Sequence, residues 1–144
     1  PAAVVALNAT ITTNTGKHAA DDFFKGLFET ALSEGELITS ISFPKAEKAA
    51  YVKFPNPASR YAMVGVFVAE TAAGVRVAVT GAGACVFRVA AFEAALAKRF
   101  APEALDGLSV PSDGLNQDLH GSAEYRASLV PVIAKRAVAA ALAG

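Results

Sequence analysis

The sequence predicts an α+β fold in which a three-stranded antiparallel sheet packs against a three-helix bundle. Segments with strand character lie at 51–54, 63–70 and 75–82. In the last of them valine stands at every second position, which is the period of a strand with one face on a core. The run Ala72-Ala73-Gly74 supplies the tight turn of a hairpin between the last two strands. Because the strands precede the helices instead of alternating with them, an antiparallel sheet is favoured over a parallel one.

Three helices are expected after the strands. The first covers 89–100, where apolar residues recur every three or four positions along one buried stripe. Its members are Val89, Phe92, Leu96 and Phe100. Pro102 suits the first turn of a shorter helix that Gly107 ends. The third covers 122–142, and Pro131 should kink it because proline removes one helix hydrogen bond. Its expected buried residues are Tyr125, Leu129, Val132 and Ile133.

The first 44 residues have a mixed pattern. The opening PAAVVAL reads as the end of a helix, and 9–14 is rich in threonine and isoleucine, as strands are. A short helix is expected at Asp21, with a buried face of residues at intervals of three and four. These residues are Phe23, Phe24, Leu27 and Phe28. A strand at 37–43 follows, and the charged segment 45–48 is the expected boundary between two structural units.

Composition limits the classes of function. The 144 residues are 53% hydrophobic and carry no formal net charge, so a globular chain is expected and no nucleic-acid partner is indicated. No apolar run reaches the roughly 20 residues that a membrane span needs. Cys85 is the one cysteine, which excludes an internal disulfide and fits the reducing cytoplasm.

Conventional catalytic signals are sparse. His18 and His120 lie in predicted turns far apart in the sequence, so solvated positions are expected for them rather than a catalytic or metal-binding pair. The run Thr80-Gly81-Ala82-Gly83 is faintly similar to a phosphate-binding turn. It lacks the P-loop lysine and the third glycine of the dinucleotide motif, so a bulge or a close crossing of backbones is the favoured interpretation.

The segment 51–61, YVKFPNPASRY, is the most informative part of the chain. Its two prolines stiffen it and would hold Lys53, Arg60 and Tyr61 in fixed positions. A lysine and an aromatic ring on a rigid loop can meet a flat anionic or electron-rich ligand by charge and by stacking. The alternative is a tyrosine that packs on its own loop beside a solvated lysine, and the residues alone favour that alternative.

Four segments in fixed order carry a resemblance to a known family. They are DDFFKGLFETAL with GELITSISFP, then YVKFPNPASRYAMVGV, VRVAVTGAGACVFR and GSAEYRASLVPVIAKRA. Together they resemble the FAD-binding medium subunit of the molybdenum hydroxylases, the family of carbon monoxide dehydrogenase and xanthine dehydrogenase. The similarity covers essentially the whole chain and implies the C-terminal portion of such a subunit. Residues 1–44 would end the middle FAD-binding lobe, and 50–144 would form the C-terminal lobe.

The resemblance also implies a share of a flavin site. By position, Ile38 corresponds to the aliphatic residue beside the isoalloxazine ring, Lys53 to the lysine near its polar edge, and Tyr61 to the tyrosine that covers it. Lys53 would favour electron density developing on the ring, and Tyr61 would exclude water. The family's glycine-rich pyrophosphate motifs are absent from this chain. We therefore expect weak or no FAD binding, and no activity, from the chain alone.

The function that the resemblance implies is electron transfer within a cytoplasmic oxidoreductase. The medium subunit would pass electrons from the iron–sulfur clusters of a small subunit, through FAD, to an external acceptor. A large molybdopterin subunit would oxidise the substrate. Two other interpretations stay open at this point: a cofactor-free docking domain, and an unrelated small α+β binding module.

Overall fold

The computed structural model describes all 144 residues and has nine β-strands, four α-helices and one 3₁₀ helix. The elements of the first part are α1 (Ala2–Ala6), β1 (Thr10–Thr13), β2 (Lys17–Ala19), α2 (Ala20–Phe23), β3 (Phe24–Gly26), β4 (Glu29–Thr30) and β5 (Ile38–Ser42). The elements that follow are β6 (Ala46–Pro55), β7 (Ala62–Thr71), β8 (Gly74–Thr80), β9 (Phe87–Arg88), α3 (Ala90–Lys98), the 3₁₀ helix (Pro102–Leu105) and α4 (Ala123–Ala143). None of the helices combines the length and the apolarity that a membrane span requires.

The predicted antiparallel sheet is confirmed and is larger than expected. Its strand order is β6-β7-β8-β9, and each neighbouring pair is antiparallel. The fourth strand, β9, has only two residues. The strand predicted at 51–54 begins earlier, at Ala46, so most of the charged segment 45–48 lies inside it. Half-buried and exposed residues alternate along this strand, and Lys48 pairs with Glu70 on the neighbouring strand.

The main core lies between this sheet and the helices α3 and α4. Its large, fully buried side chains are Val64, Val66, Val68, Val77, Val79, Phe92, Leu96, Leu105, Val130, Ile133 and Val138. The second face of the sheet is also covered at its centre, where Ala69 and Ala78 belong to a cluster with Val5 and Ala6 of α1. The valine alternation predicted one buried face; the short alanine side chains on the other face leave room for α1.

The first 44 residues form a smaller sheet with the order β2-β1-β5. The elements α1, β1 and β5 confirm the predicted helix end and the strands at 9–14 and 37–43. A small core holds this part together: Ala9, Ile11, Ala20 and Phe23. Two arginines of the large sheet, Arg76 and Arg88, form ion pairs with Asp21 of α2. These ion pairs and α1 join the two parts of the molecule.

The helix predicted at Asp21 is wrong beyond its first turn. It ends at Phe23, and β3 and β4 form a hairpin in place of its continuation. Phe23 is buried and Phe24 half-buried, but Leu27 is 69% exposed and Phe28 is fully exposed. Phe28 has a φ of 57°, a left-handed conformation that a continuing α-helix excludes. Aromatic spacing over so few positions cannot distinguish a helix from a turn followed by a hairpin.

The three helices predicted at the C-terminal end are found, with the middle one reduced to a single 3₁₀ turn. The last helix, α4, follows Ser122, whose Oγ accepts a hydrogen bond from the Tyr125 N–H at 3.2 Å. This is an N-terminal cap of the usual kind. The helix continues through Pro131 to Ala143.

The buried stripe of α4 differs from the predicted one. Leu129 and Ile133 pack on the core as predicted, but Tyr125 and Val132 are exposed. The stripe is completed by Arg126 and by small residues, namely Ala127, Val130, Ala134, Ala137, Val138 and Ala141. The prediction gave weight to large apolar side chains, whereas close packing of a helix on a sheet selects side chains that fit the available space.

Candidate functional site

The loop between β6 and β7, residues 56–61, has a fixed backbone. Asn56 is buried, and its Oδ1 accepts hydrogen bonds from the Ala58 and Ser59 N–H groups at 2.9 and 3.2 Å. The Asn56 N–H donates to the Tyr61 carbonyl at 2.7 Å, and the Arg60 N–H donates to the Asn56 carbonyl at 2.9 Å. An asparagine side chain that bonds to the backbone two residues on is a common way to fix a turn.

Tyr61 ends this loop, and Lys53 reaches it from β6. The Lys53 Nζ donates to the Arg60 carbonyl at 2.9 Å, which leaves the remaining ammonium hydrogens free for another acceptor. Tyr61 is 80% exposed, so its ring is not packed on its own loop. The structure therefore bonds a lysine to the rigid loop that carries the exposed aromatic ring.

Tyr61 borders a cleft of about 410 Å³, and most of the residues that line it are of polar type. Other side chains of the lining include Leu27, Asn56, Ser59, Gln117, His120 and Arg126. A planar group with hydrogen-bonding edges could lie against the tyrosine ring here. A second, more apolar cavity of about 500 Å³ lies beside Cys85 and the start of α3, and no predicted site residue lines it.

A buried arginine stands at the base of the cleft, and the prediction did not include it. The Arg126 Nη1 donates to the carbonyls of Met63 and Gly81, and its Nη2 donates to Asp118 Oδ2 at 2.8 Å. The Asp118 carboxylate also accepts from the His120 N–H, and these contacts hold the pKa of Asp118 below its usual value. The only signal in the sequence is an arginine on the apolar side of a predicted helix.

The glycine run after β8 is a close crossing of backbones, as the sequence favoured. Gly81 has a φ of 79°, and a Cβ at this position would overlap the Ala62 carbonyl oxygen. The carbonyls of Gly81 and Gly83 accept hydrogen bonds from the Asn116 Nδ2 at 3.1 and 2.9 Å. This turn presents carbonyl oxygens to its neighbours, whereas a phosphate-binding turn presents amide hydrogens.

Ile38, the third predicted site residue, lies on a different sheet from Lys53. It begins β5, is 44% exposed and does not line the cleft beside Tyr61. The structure thus brings Lys53 and Tyr61 together and places Ile38 on the smaller sheet.

A buried carboxylate anchors the turn before Ile38. Glu36 accepts hydrogen bonds from the Ser33 N–H at 2.9 Å and the Thr13 hydroxyl at 2.6 Å, and it pairs with the His18 Nε2 at 2.8 Å. The Ser33 N–H, followed by the Thr13 and His18 side chains, lowers the pKa of Glu36 to about 2. The prediction of a solvated turn for His18 is wrong, because His18 lies on β2 and pairs with this carboxylate.

Comparison with known proteins points to one family. No protein-family model matches the chain. It is 33% identical over 129 residues to the nicotine 6-hydroxylase medium subunit of Paenarthrobacter nicotinovorans, a match that covers 83% of this chain and 46% of that protein. It is 31% identical over 157 aligned positions to the glyceraldehyde dehydrogenase medium chain of Sulfolobus acidocaldarius, covering 95% and 54% respectively.

Solved structures give the same result. Carbon monoxide dehydrogenase from Oligotropha carboxidovorans matches with a TM-score of 0.82 and 26% identity, over 99% of this chain and 56% of that chain. The enzyme from Hydrogenophaga pseudoflava matches with a TM-score of 0.78 and 29% identity, over 99% and 55%.

The fold and these matches define the class of protein as that of the medium subunits. The chain belongs to the medium-subunit family of the molybdenum hydroxylases, which confirms the resemblance carried by the four sequence segments. It spans about half the length of the relatives it matches.

Proposed function

We propose that this chain is part of an FAD-binding medium subunit that passes electrons from iron–sulfur clusters, through FAD, to an external acceptor. The observation that carries the proposal is the rigid loop 56–61, which holds Tyr61 exposed and Lys53 beside it. A tyrosine that a protein keeps in solvent on a hydrogen-bonded loop fits a ring that stacks on a planar partner.

The residues present fit their share of a flavin site. Tyr61 offers an open aromatic face beside the polar cleft, and Lys53 keeps donors available after its bond to the Arg60 carbonyl. Ile38 offers a partly exposed aliphatic side chain on the smaller sheet. The chain contains no glycine-rich pyrophosphate motif. Most of the contacts to FAD would therefore come from residues outside this chain.

FAD, when bound, supplies the ability to accept and release electrons one or two at a time. Tyr61 would cover one face of the ring and exclude water from it. Lys53 would lie near the polar edge and stabilise negative charge that develops there on reduction. Ile38 would pack beside the ring and limit its movement. Each of these roles is binding or electrostatic, and none requires an acid, a base or a metal ligand from this chain.

The proposal extends to the organisation of the protein and to its partners. Residues 1–44 would complete a middle FAD-binding lobe, and 50–144 would form the C-terminal lobe. The partners would be a large molybdopterin subunit and a small iron–sulfur subunit. A cytoplasmic location is part of the proposal and fits the single, unpaired Cys85.

Flavin binding by the longer polypeptide tests the proposal. The coding sequence upstream of Pro1 would be expressed together with this chain, and the flavin content of the purified protein measured from its visible absorption. We expect about one FAD per polypeptide, and Tyr61→Ala should change the flavin spectrum while leaving the polypeptide folded. A correctly folded longer protein without flavin would contradict the proposal and favour a cofactor-free docking role. The 144-residue chain titrated alone should bind FAD weakly or not at all.

A further inference from the structure

We propose that Arg126 is a positioning residue for residues 56–61, the Tyr61 loop. It fixes this loop against the turn after β8 and the segment before α4. The importance of this for function rests on the proposed role of Tyr61 at a flavin, but the geometry itself involves no ligand. Arg126 is 4% exposed. Arginine is rarely buried to this extent unless it is paired. The role of Arg126 therefore follows from the groups that its guanidinium contacts.

Three separate segments meet at the Arg126 guanidinium. Its Nη1 donates to the Met63 carbonyl at 2.8 Å and to the Gly81 carbonyl at 3.2 Å. Its Nη2 donates to Asp118 Oδ2 at 2.8 Å. Met63 lies at the start of β7, Gly81 lies just after β8, and Asp118 lies in the segment before α4. Guanidinium donors have a fixed planar arrangement, so one side chain holds all three segments in one relative position.

The backbone around this contact has no room to adjust. The Ala62 carbonyl lies directly against Gly81, where even a methyl group would overlap it. Asn116 holds the same turn from the other side through the carbonyls of Gly81 and Gly83. The Met63 carbonyl is two residues from Tyr61, whose own carbonyl is bonded to the Asn56 N–H. A shift of the Met63 carbonyl would therefore move the Tyr61 loop as a unit.

The burial of Arg126 is more consistent with positioning than with stabilisation. Its Nε is buried without a hydrogen-bond partner. Because Arg126 is buried, the cost of removing its charge from water offsets its attraction to the half-exposed Asp118 carboxylate, and an unpaired polar atom adds a further cost. Lys53 also holds the loop, through the Arg60 carbonyl, but that bond is exposed and constrains it less. Of these two side chains that hold the loop from outside it, Arg126 is thus the stronger constraint on where Tyr61 stands.

Hydrogen exchange of the 144-residue chain, followed by mass spectrometry without any flavin, tests the inference. Arg126→Met removes the three contacts and keeps an unbranched apolar side chain. Ile133→Ala is the matched control, because Ile133 is fully buried on the same helix but belongs to the main core. We expect Arg126→Met to accelerate exchange in residues 56–63 by roughly 10- to 100-fold beyond the change in the rest of the chain. Ile133→Ala should accelerate exchange throughout the core without selecting this loop.

The exchange rates are first corrected for the free energy of unfolding of each variant. The inference is overturned if residues 56–63 then exchange no faster in Arg126→Met than in Ile133→Ala. If Arg126→Met does not fold, Arg126→Lys is measured in the same way. Lysine keeps the charge but cannot reach all three acceptors, so the same loop should loosen, and unchanged exchange would overturn the inference equally. In the longer flavin-binding protein, Arg126→Lys should then alter the flavin spectrum in the direction of Tyr61→Ala. A loosened loop with an unaltered spectrum would reject the role of Tyr61 and retain that of Arg126.

Discussion

The two parts of the molecule differ in how completely they bury their apolar side chains. The part from β6 onward encloses a core of sixteen buried residues between its sheet and its helices. The first 44 residues enclose a separate cluster of only four. They leave six large apolar side chains in solvent, as many as the part from β6 onward leaves over more than twice the length: Leu27, Phe28, Leu37, Ile38, Ile41 and Phe43. The main core closes within this chain, whereas these side chains of the first part stand in solvent.

The difference also bears on the proposed site. Lys53 and Tyr61 stand on the well-packed part, while Ile38 stands on the part with the small core. Lys53 and Tyr61 therefore stand on a rigid support. The support of Ile38 depends on a few polar contacts, notably those of Glu36 and the ion pairs of Asp21.

The largest effect is expected in the main core. Phe92→Ala removes a fully buried ring and should lower the free energy of unfolding by about 3–5 kcal/mol through lost burial and a residual cavity. Phe28→Ala, at a fully exposed position of the other part, should change it by less than about 0.5 kcal/mol. Urea unfolding measures both. Similar losses for the two variants would show that the two parts do not differ as described.

The backbone crossing at Gly81 should give the next largest effect. Gly81→Ala forces a left-handed residue to carry a Cβ that overlaps the Ala62 carbonyl, and we expect a loss of at least about 2 kcal/mol. Gly107→Ala is the matched control, since Gly107 has a φ of 73° but open space around it. It should lose only about 1 kcal/mol. Thermal unfolding of the two variants compares them, and equal losses would remove the argument for a close contact at Gly81.

The support of Ile38 should depend on pH. The pKa of Glu36 is lowered to about 2 from an ordinary value of 4.5, so its ionised form is favoured in the folded state. The stability that it contributes is complete above pH 4.5 and is lost as the pH falls toward 2. The difference in Tm between the wild type and Glu36→Gln should therefore be largest near neutral pH and should close across that window. Glu34→Gln, at a neighbouring exposed position, should follow the wild type throughout; a constant gap for Glu36→Gln would exclude the linkage.

The smallest effect on stability is expected at Tyr61 itself. Because its ring is 80% exposed, Tyr61→Phe and Tyr61→Ala should each change the free energy of unfolding by less than about 0.5 kcal/mol. In the longer flavin-binding protein only Tyr61→Ala should strongly alter the flavin fluorescence, because phenylalanine retains the stacking face. A large loss of stability in Tyr61→Ala would mean that the ring supports the fold rather than a ligand.

Much of the architecture followed from local patterns. The valine alternation in β8 and the stripe in α3 were sufficient to predict their elements, because each repeats over several turns or strand periods. The segment after Asp21 was predicted wrongly, because four aromatic and apolar residues are too few to fix a period. Lys53 and Tyr61 were predicted by resemblance, and the exposure of Tyr61 agrees with a role that needs an accessible ring.

The residues that the sequence did not reveal are those whose role exists only through distant partners. Arg126 meets a carbonyl 63 positions away, and Glu36 meets a hydroxyl 23 positions away. The sequence by itself determined the α+β class, the family and the position of the stiff loop, since these depend on neighbouring residues and on segment order. Tertiary structure alone decided which polar groups became buried and paired. The free energy of a buried charge depends on the partners that surround it in space, and no periodicity along the chain encodes those partners.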